Sequence, residues 1–330
     1  MGKTDRNIRA VLSIAGSDSS GGAGIQADLK TMTALGVYGM TAVTALTAQN
    51  TRGVFSVMNV TPEFLMAQLD AVFSDIEPDA VKIGMLASAE LAETAAERLR
   101  HYRAEQIVLD PVMVSTSGCG LSGEGTPEVM KRELCPLCRL ITPNIPEAEV
   151  LLGQKIAADE AAEAPECRKD QQRMLSLDEA ALQLSEELGC AVLLKGGHAG
   201  AVHGSSHSKT ESGYREIDCE AASAKTAEKS AECENECRTA ADRLAVDRLA
   251  ENGRLTYFEA PWIETDNTHG TGCTLSSAIA CGLAKGETLE ESIRSAKKYL
   301  TGALSFGLSM GKGSGPLWHG YVRRAGTEMI

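Results

Sequence analysis

Short apolar runs with strand character alternate with helix-patterned segments along nearly the whole chain. This alternation restricts the fold more than any other feature of the 330 residues. Residues 9–15, 39–47, 54–60, 80–83, 106–112, 140–142 and 191–194 read as strands. Residues 24–36, 62–75, 87–103, 127–138, 177–188, 270–286 and 289–308 read as helices. In the first of these, Ile25, Leu29, Met32 and Leu35 repeat at helical spacing. In the second, Thr61 stands as N-cap and Pro62 in the first turn. Such an order predicts a doubly wound α/β fold, a mainly parallel sheet with helices on both faces. One large domain over residues 1–330 is within reach of this length. Ligands of such sheets bind beyond the carboxyl ends of the strands, and the glycine-rich and polar strings fall there.

One stretch breaks the pattern. Residues 204–241 are Ser, Lys, Glu, Ala and Cys with almost no large apolar side chains. They cannot bury enough surface to offset their ordering entropy, so a flexible insertion is expected, with marginal helix at 221–238. Residues 157–173 are a weaker case of the same kind. The formal net charge of -13 offers no basic field for a nucleic acid or an anionic membrane. No apolar run approaches a membrane span, and the N-terminus lacks a signal-peptide pattern, so a cytoplasmic protein is expected. The 10 cysteines are scattered, unlike a secreted disulfide framework. Cys135 and Cys138 form a lone CxxC without a second ligand pair and read as small apolar residues.

Two strings carry chemistry. Asn267-Thr268-His269-Gly270-Thr271-Gly272-Cys273-Thr274 runs straight into an apolar helix. Gly270 and Gly272 let backbone amides turn to one point, and the helix start adds its positive end. Together they make an anion hole suited to a phosphoryl group in transfer. The other string, Ala15-Gly16-Ser17-Asp18-Ser19-Ser20-Gly21-Gly22-Ala23-Gly24, lacks both the Walker A ending and the dinucleotide spacing. Its small residues let the backbone approach a flat ligand, although a plain strand-to-helix turn reads equally well.

Taken with Thr47–Val54, Val81–Leu86, Leu109–Met113, Thr142–Ala148 and Lys195–His198, in this order, the two strings resemble the hydroxymethylpyrimidine/phosphomethylpyrimidine kinases of the ribokinase-like superfamily. The resemblance covers about residues 9–308 apart from the insertion. It implies ATP and Mg²⁺ as cofactors, a small pyrimidine alcohol as substrate and a homodimer. It places pyrimidine contacts at Gln49, Gly16, Ala23, Asp28, Met85, Val112 and Cys273. A carboxamide at Gln49 matches the donor–acceptor edge of an aminopyrimidine. It places Mg²⁺ near Asp110 and Glu147, and ATP near Asn144, Lys195, Thr271 and Lys297, with Gly270, Gly272, Lys195 and Cys273 as the catalytic set. Taken singly, Met85 and Val112 read as core, Glu147 as a first-turn helix charge and Lys195 as a solvated lysine. Sugar-kinase relatives carry Asp where this chain has Cys273. A thiol, ordinarily near pKa about 8.5 and lowered at helix starts, could serve there as general base or only orient the alcohol. A pyridoxal kinase remains the nearest rival, and a non-catalytic ligand-binding regulator a more distant one.

Overall fold

The computed structural model describes residues 7–113, 122–157, 174–196, 202–203 and 243–324. The expected insertion at 204–241, and 158–173, lie outside the described residues. The strands are β1 (Ala10–Asp18), β2 (Tyr38–Asn50), β3 (Gly53–Asn59), β4 (Ala80–Ile83), β5 (Ile107–Leu109), β6 (Leu140–Ile141), β7 (Ala191–Leu194), β8 (Val202–His203), β9 (Arg243–Glu251) and β10 (Arg254–Pro261). The helices are α1 (Gly24–Ala34), α2 (Pro62–Phe73), α3 (Ala89–His101), α4 (Thr126–Val129), α5 (Ile145–Leu152), α6 (Leu177–Leu188), α7 (Thr271–Ala284), α8 (Leu289–Ser305) and α9 (Tyr321–Arg324).

All ten strands join one sheet in the order β10-β9-β7-β6-β5-β4-β1-β2-β3, with β8 beside β9. From β2 to β7 the neighbours in this order are parallel, and β3, β9 and β10 run antiparallel at the two ends. Along β1 the pleat sends Ala10, Leu12 and Ile14 into one core and Val11 into the other. The first core packs under α2, α3, α5 and α6, and the second under α7 and α8 with Met32 of α1. The expected doubly wound sheet with helices on both faces is therefore the observed fold. From β1 the chain goes to β2 on one side, whereas β4 lies on the other. That reversal opens a crevice above the strand ends, the usual ligand position in open α/β sheets.

Local chemistry explains most helix starts. Thr61 accepts the amide of Phe64 ahead of Pro62, as the sequence predicts. Asn144 and Glu147 form a reciprocal capping box at α5, and Thr288 and Glu291 another at α8. Two expectations change. The helix expected over 127–138 breaks into α4, a wide turn at Met130–Leu134 and a tight turn at Cys135–Leu137. Pro136 has no amide to donate there, which removes a helical hydrogen bond. The hairpin of β9 and β10 was not expected, because Asp247 and Arg248 interrupt its apolar alternation. Asn252-Gly253, both at positive φ (50° and 76°), make its two-residue turn. An Asn-Gly pair between β-rich runs is the signal that finds it.

Candidate active site

The strand ends and the start of α7 enclose a cleft of about 550 Å³. Its lining includes Gly16 of β1, Ala23 from the loop after β1, Gln49 from β2, Met85 after β4 and Val112 after β5. Asp110, Asn144 and Lys195, each just past a parallel strand, and Glu147 in the first turn of α5 line the same cleft. Gly270, Thr271, Gly272 and Cys273, at the start of α7, form its floor, and Lys297 of α8 also lines it. The structure thus brings together every predicted site residue except Asp28. Gly197 and His198, at the end of the lysine string, lie outside the described residues.

Asp28 is fully buried beneath the cleft and does not line it. It accepts hydrogen bonds from Ser13 Oγ (2.5 Å), Ser277 Oγ (2.7 Å) and Lys82 Nζ (2.9 and 3.0 Å). Asp28, expected as a substrate contact, stands in this structure as a support beneath the floor. Lys82, itself fully buried, is the member of this cluster that reaches the cleft. Burial pulls the Lys82 ammonium toward neutrality, but the Asp28 carboxylate outweighs it and holds the charge on.

The two glycine strings interlock. Gly270 caps α7 at φ 87° with no side chain to satisfy the first-turn amides. A Cβ on Gly270 would stand 1.9 Å from Gly22 O. Only glycine allows both this left-handed turn and the contact. A Cβ on Gly272 would lie 3.2 Å from Asp110 Oδ2 and 3.5 Å from Lys195 Nζ, so the bare backbone lets both charges approach the helix start. Thr271 N donates to Thr268 O, and the amides of Gly272 and Cys273, left without a capping side chain, are available to an anion in the cleft.

Lys195 Nζ lies 2.8 Å from Asp110 Oδ1 and 4.0 Å from Glu147 Oε2. Burial works to raise Asp110, yet the charges of Lys195 and Lys82 prevail and hold its carboxyl below the usual range. Burial pushes Glu147 up to about 7, with Lys195 opposing and Asp110 assisting. Burial also pushes the Cys273 thiol up to about 11 against the pull of Lys82. The resting thiol is therefore protonated at neutral pH, contrary to the helix-start lowering that the sequence suggests. Lys297 Nζ donates to Asp247 Oδ2 at 2.5 Å, and Asp247 also accepts the amide of Gly196. Asp247 thus ties both α8, through Lys297, and the loop after β7, through Gly196, to β9.

Sequence reasoning assigned no role to Lys82, Asp18, His269 or the hairpin wall. Asp18 and His269 stood inside the two glycine strings, and Lys82 within Val81–Leu86. What was missing was the third dimension. His269 Nε2 lies 2.8 Å from Asp18 Oδ2 across 251 residues of chain. Arg243 and Trp262, which line the cleft beside the hairpin, stack with Arg243 Cζ 5.9 Å from the ring centre.

A parallel sheet open at its switch point, a glycine-bounded helix start and two buried carboxylates around one lysine define a ribokinase-like small-molecule kinase. The sequence profile of a family described as phosphomethylpyrimidine kinase matches residues 18–233 and 235–318. The chain belongs to that family. It is 44% identical over 310 residues to a bifunctional thiamine-biosynthesis protein of Geobacter sulfurreducens, covering 94% of this chain and 52% of that one. It thus spans about half the length of that relative. It is 42% identical to a hydroxymethylpyrimidine/phosphomethylpyrimidine kinase of Rhizobium meliloti, covering 93% of this chain and 96% of the relative. Among solved structures it is similar to a pyridoxal kinase of Staphylococcus aureus in complex with AMP-PCP and pyridoxal. That likeness has a TM-score of 0.71 at 27% identity and covers 97% of this chain and 96% of the other.

Proposed function

We propose that the protein transfers the γ-phosphate of ATP to 4-amino-5-hydroxymethyl-2-methylpyrimidine, and then to the resulting monophosphate, giving the diphosphate used to make thiamine. The observation that carries this reading is that Gln49, Cys273 and the start of α7 line one cleft. Gln49 presents a donor and an acceptor to the aminopyrimidine edge, while Met85 and Val112 cover its faces. The hydroxymethyl oxygen then points at the start of α7, where the transferring group rests on the amides after Gly270. The oxygen forms the new bond to phosphorus, the bond to ADP breaks, and the alcohol proton passes to an oxygen of the transferring phosphoryl group and from there to water. Phosphoryl transfer of this kind has a loose transition state, so position and charge matter more than a strong base. A protonated Cys273 thiol suits an orienting role.

Asp110 and Glu147 fit a Mg²⁺ ion. Two clustered carboxylates leave the remaining positions to water and ATP phosphates, as this ion prefers. Among the described residues no group of three His, Cys, Asp or Glu could hold a metal unaided. The bound ion would neutralise phosphate charge there, beside Lys195. Asn144, Thr271 and Lys297 belong to the ATP end of the cleft in this reading. A homodimer is part of it too. The edge strand β3 exposes Phe55 (69%), Val57 (41%) and Met58 (63%), an apolar strip that a second copy would cover. No helix among the described residues is long and apolar enough to cross a membrane, and a cytoplasmic location is a separate part of the proposal.

The test is turnover of ATP–Mg²⁺ with the pyrimidine alcohol, its monophosphate, pyridoxal and ribose side by side. The pyrimidine pair should react fastest. Faster turnover of pyridoxal, the substrate class to which the Staphylococcus aureus structure points, would replace this reading.

A further inference from the structure

The hydrogen bonds around Gln49 fix more than its position. Asp18 Oδ1 accepts from Ser20 N and Ser20 Oγ, both at 2.8 Å, and Oδ2 accepts from Gly22 N (3.0 Å) and Ala23 N (2.8 Å). Although burial works to raise it, the contacts from His269 and Ser20 hold this carboxyl well below the usual range, so it is ionised. An ionised carboxylate only accepts. His269 Nε2, 2.8 Å from Asp18 Oδ2, must therefore carry a proton, whether the ring is neutral or cationic.

That proton constrains the amide beside it. Gln49 Nε2 lies 3.3 Å from His269 Nε2, and Gln49 Oε1 lies 3.1 Å from Thr47 Oγ1. In this orientation two N–H donors face each other, and Thr47 must split its one proton between Gln49 and Ser17 O, which is nearer at 2.9 Å. Exchanging the two ends of the amide removes the donor–donor contact and leaves the Thr47 proton to Ser17 O, without moving another atom. The carbonyl oxygen then shares the one His269 Nε2 proton with Asp18 Oδ2, at 3.3 Å against 2.8 Å, and the NH₂ donates to Thr47 Oγ1. His269 is rigidly held, since it is 6% exposed, its backbone amide donates to Gly315 O, and its ring packs where a Cβ on Gly22 would stand at 2.3 Å.

We propose that His269, clamped by Asp18, locks the Gln49 amide with its oxygen toward His269 and its NH₂ toward Thr47, and so selects substrates whose edge presents a donor on the His269 side and an acceptor beside it. This rests on the reading that Gln49 contacts the ring. The 4-amino group and adjacent ring nitrogen of an aminopyrimidine offer that order. The corresponding 4-oxo pyrimidine offers the reverse, a carbonyl and a ring N–H. It cannot turn over to compensate, because its hydroxymethyl group must point at α7. His269 and Asp18 are positioning residues here and act through Gln49.

The experiment compares kcat/KM for the 4-amino and 4-oxo alcohols in the wild-type protein, His269→Leu, His269→Gln and Gln49→Ala. The wild type should prefer the amino alcohol by at least about 100-fold, since the oxo compound leaves buried polar groups mismatched. His269→Leu frees the amide to turn and should shrink that preference at least about 10-fold, through KM rather than kcat, whereas His269→Gln, which keeps an N–H donor, should restore part of it. An unchanged preference in His269→Leu, with the preference lost in Gln49→Ala, overturns the inference and leaves Gln49 as the ring contact. A preference that survives Gln49→Ala overturns the role of Gln49 and the inference with it. Should His269→Leu not fold, ¹⁵N-edited NMR of the wild-type protein reads the same point: His269 Nε2 should bear a proton, and a bare Nε2 refutes the lock.

Discussion

Replacing Lys82 with Met tests the support beneath the catalytic floor. The side chains of Lys82 and Asp28 are both 0% exposed and lie 2.9 Å apart. Methionine keeps the unbranched length of lysine and removes only the ammonium. Asp28 then keeps two hydroxyl donors, Ser13 and Ser277, and loses its only counter-charge at hydrogen-bond distance among the described residues. Breaking a buried pair from one side costs about 3–5 kcal/mol, because an uncompensated charge remains in the interior. For a domain of this size about 2 °C accompanies each kcal/mol, so Lys82→Met should melt about 6–10 °C lower. Adding Asp28→Asn removes the stranded charge and leaves an amide whose oxygen accepts from one hydroxyl and whose NH₂ donates to the other. The double variant should recover at least about 2 kcal/mol of the loss. Urea unfolding of the wild type, both single variants and the double variant gives the cycle. Single and double losses that simply add, or a Lys82→Met loss below about 1 kcal/mol, would refute the claim that this pair is a coupled buried charge.

Further outcomes follow from the site. Cys273→Ser should keep turnover at neutral pH within about 10-fold of wild type, against the 10²–10⁴ that a general base supplies, because burial holds the thiol near 11. Its kcat–pH profile is the check. Gly270→Ala should lose about 10²–10³ in kcat/KM, because its Cβ meets Gly22 O and displaces the amides that face the phosphoryl group. Glu147, raised from 4.5 to about 7, stabilises the metal-free fold fully below about 4.5 and loses that contribution as the pH rises through 7. The span corresponds to about 3 kcal/mol. Glu147→Gln should flatten this pH dependence, read from urea midpoints at pH 5 and 8, and raise the Mg²⁺ concentration needed for activity.

The fold was largely legible because each βα unit announces itself locally. Thr61-Pro62, Asn144-x-x-Glu147 and Thr288-x-x-Glu291 mark helix starts by capping chemistry that needs no distant partner. The hairpin of β9 and β10 escaped because two charged residues, Asp247 and Arg248, sit inside its first strand. They are paid for only across the fold, by Lys297 and by Asp178. The position of the site was legible for the same local reason, since Asp110, Asn144 and Lys195 end strands that the pattern locates. Its protonation states were not. A helix start lowers a thiol and solvent keeps a glutamate low, but burial decides both Cys273 and Glu147, and burial is a property of the packed cleft. The ion pair of Lys82 with Asp28 and the contact of His269 with Asp18 join residues 54 and 251 apart, beyond any sequence period.

The most direct test of the proposed chemistry is a crystal structure with AMP-PCP and the aminopyrimidine alcohol bound together. The hydroxymethyl oxygen should lie about 3–3.5 Å from the γ-phosphorus, the distance of a near-attack arrangement, with the ring edge on Gln49 and the γ-phosphate on the amides after Gly270. A ring seated away from Gln49, or a γ-phosphate that does not reach the start of α7, would contradict it.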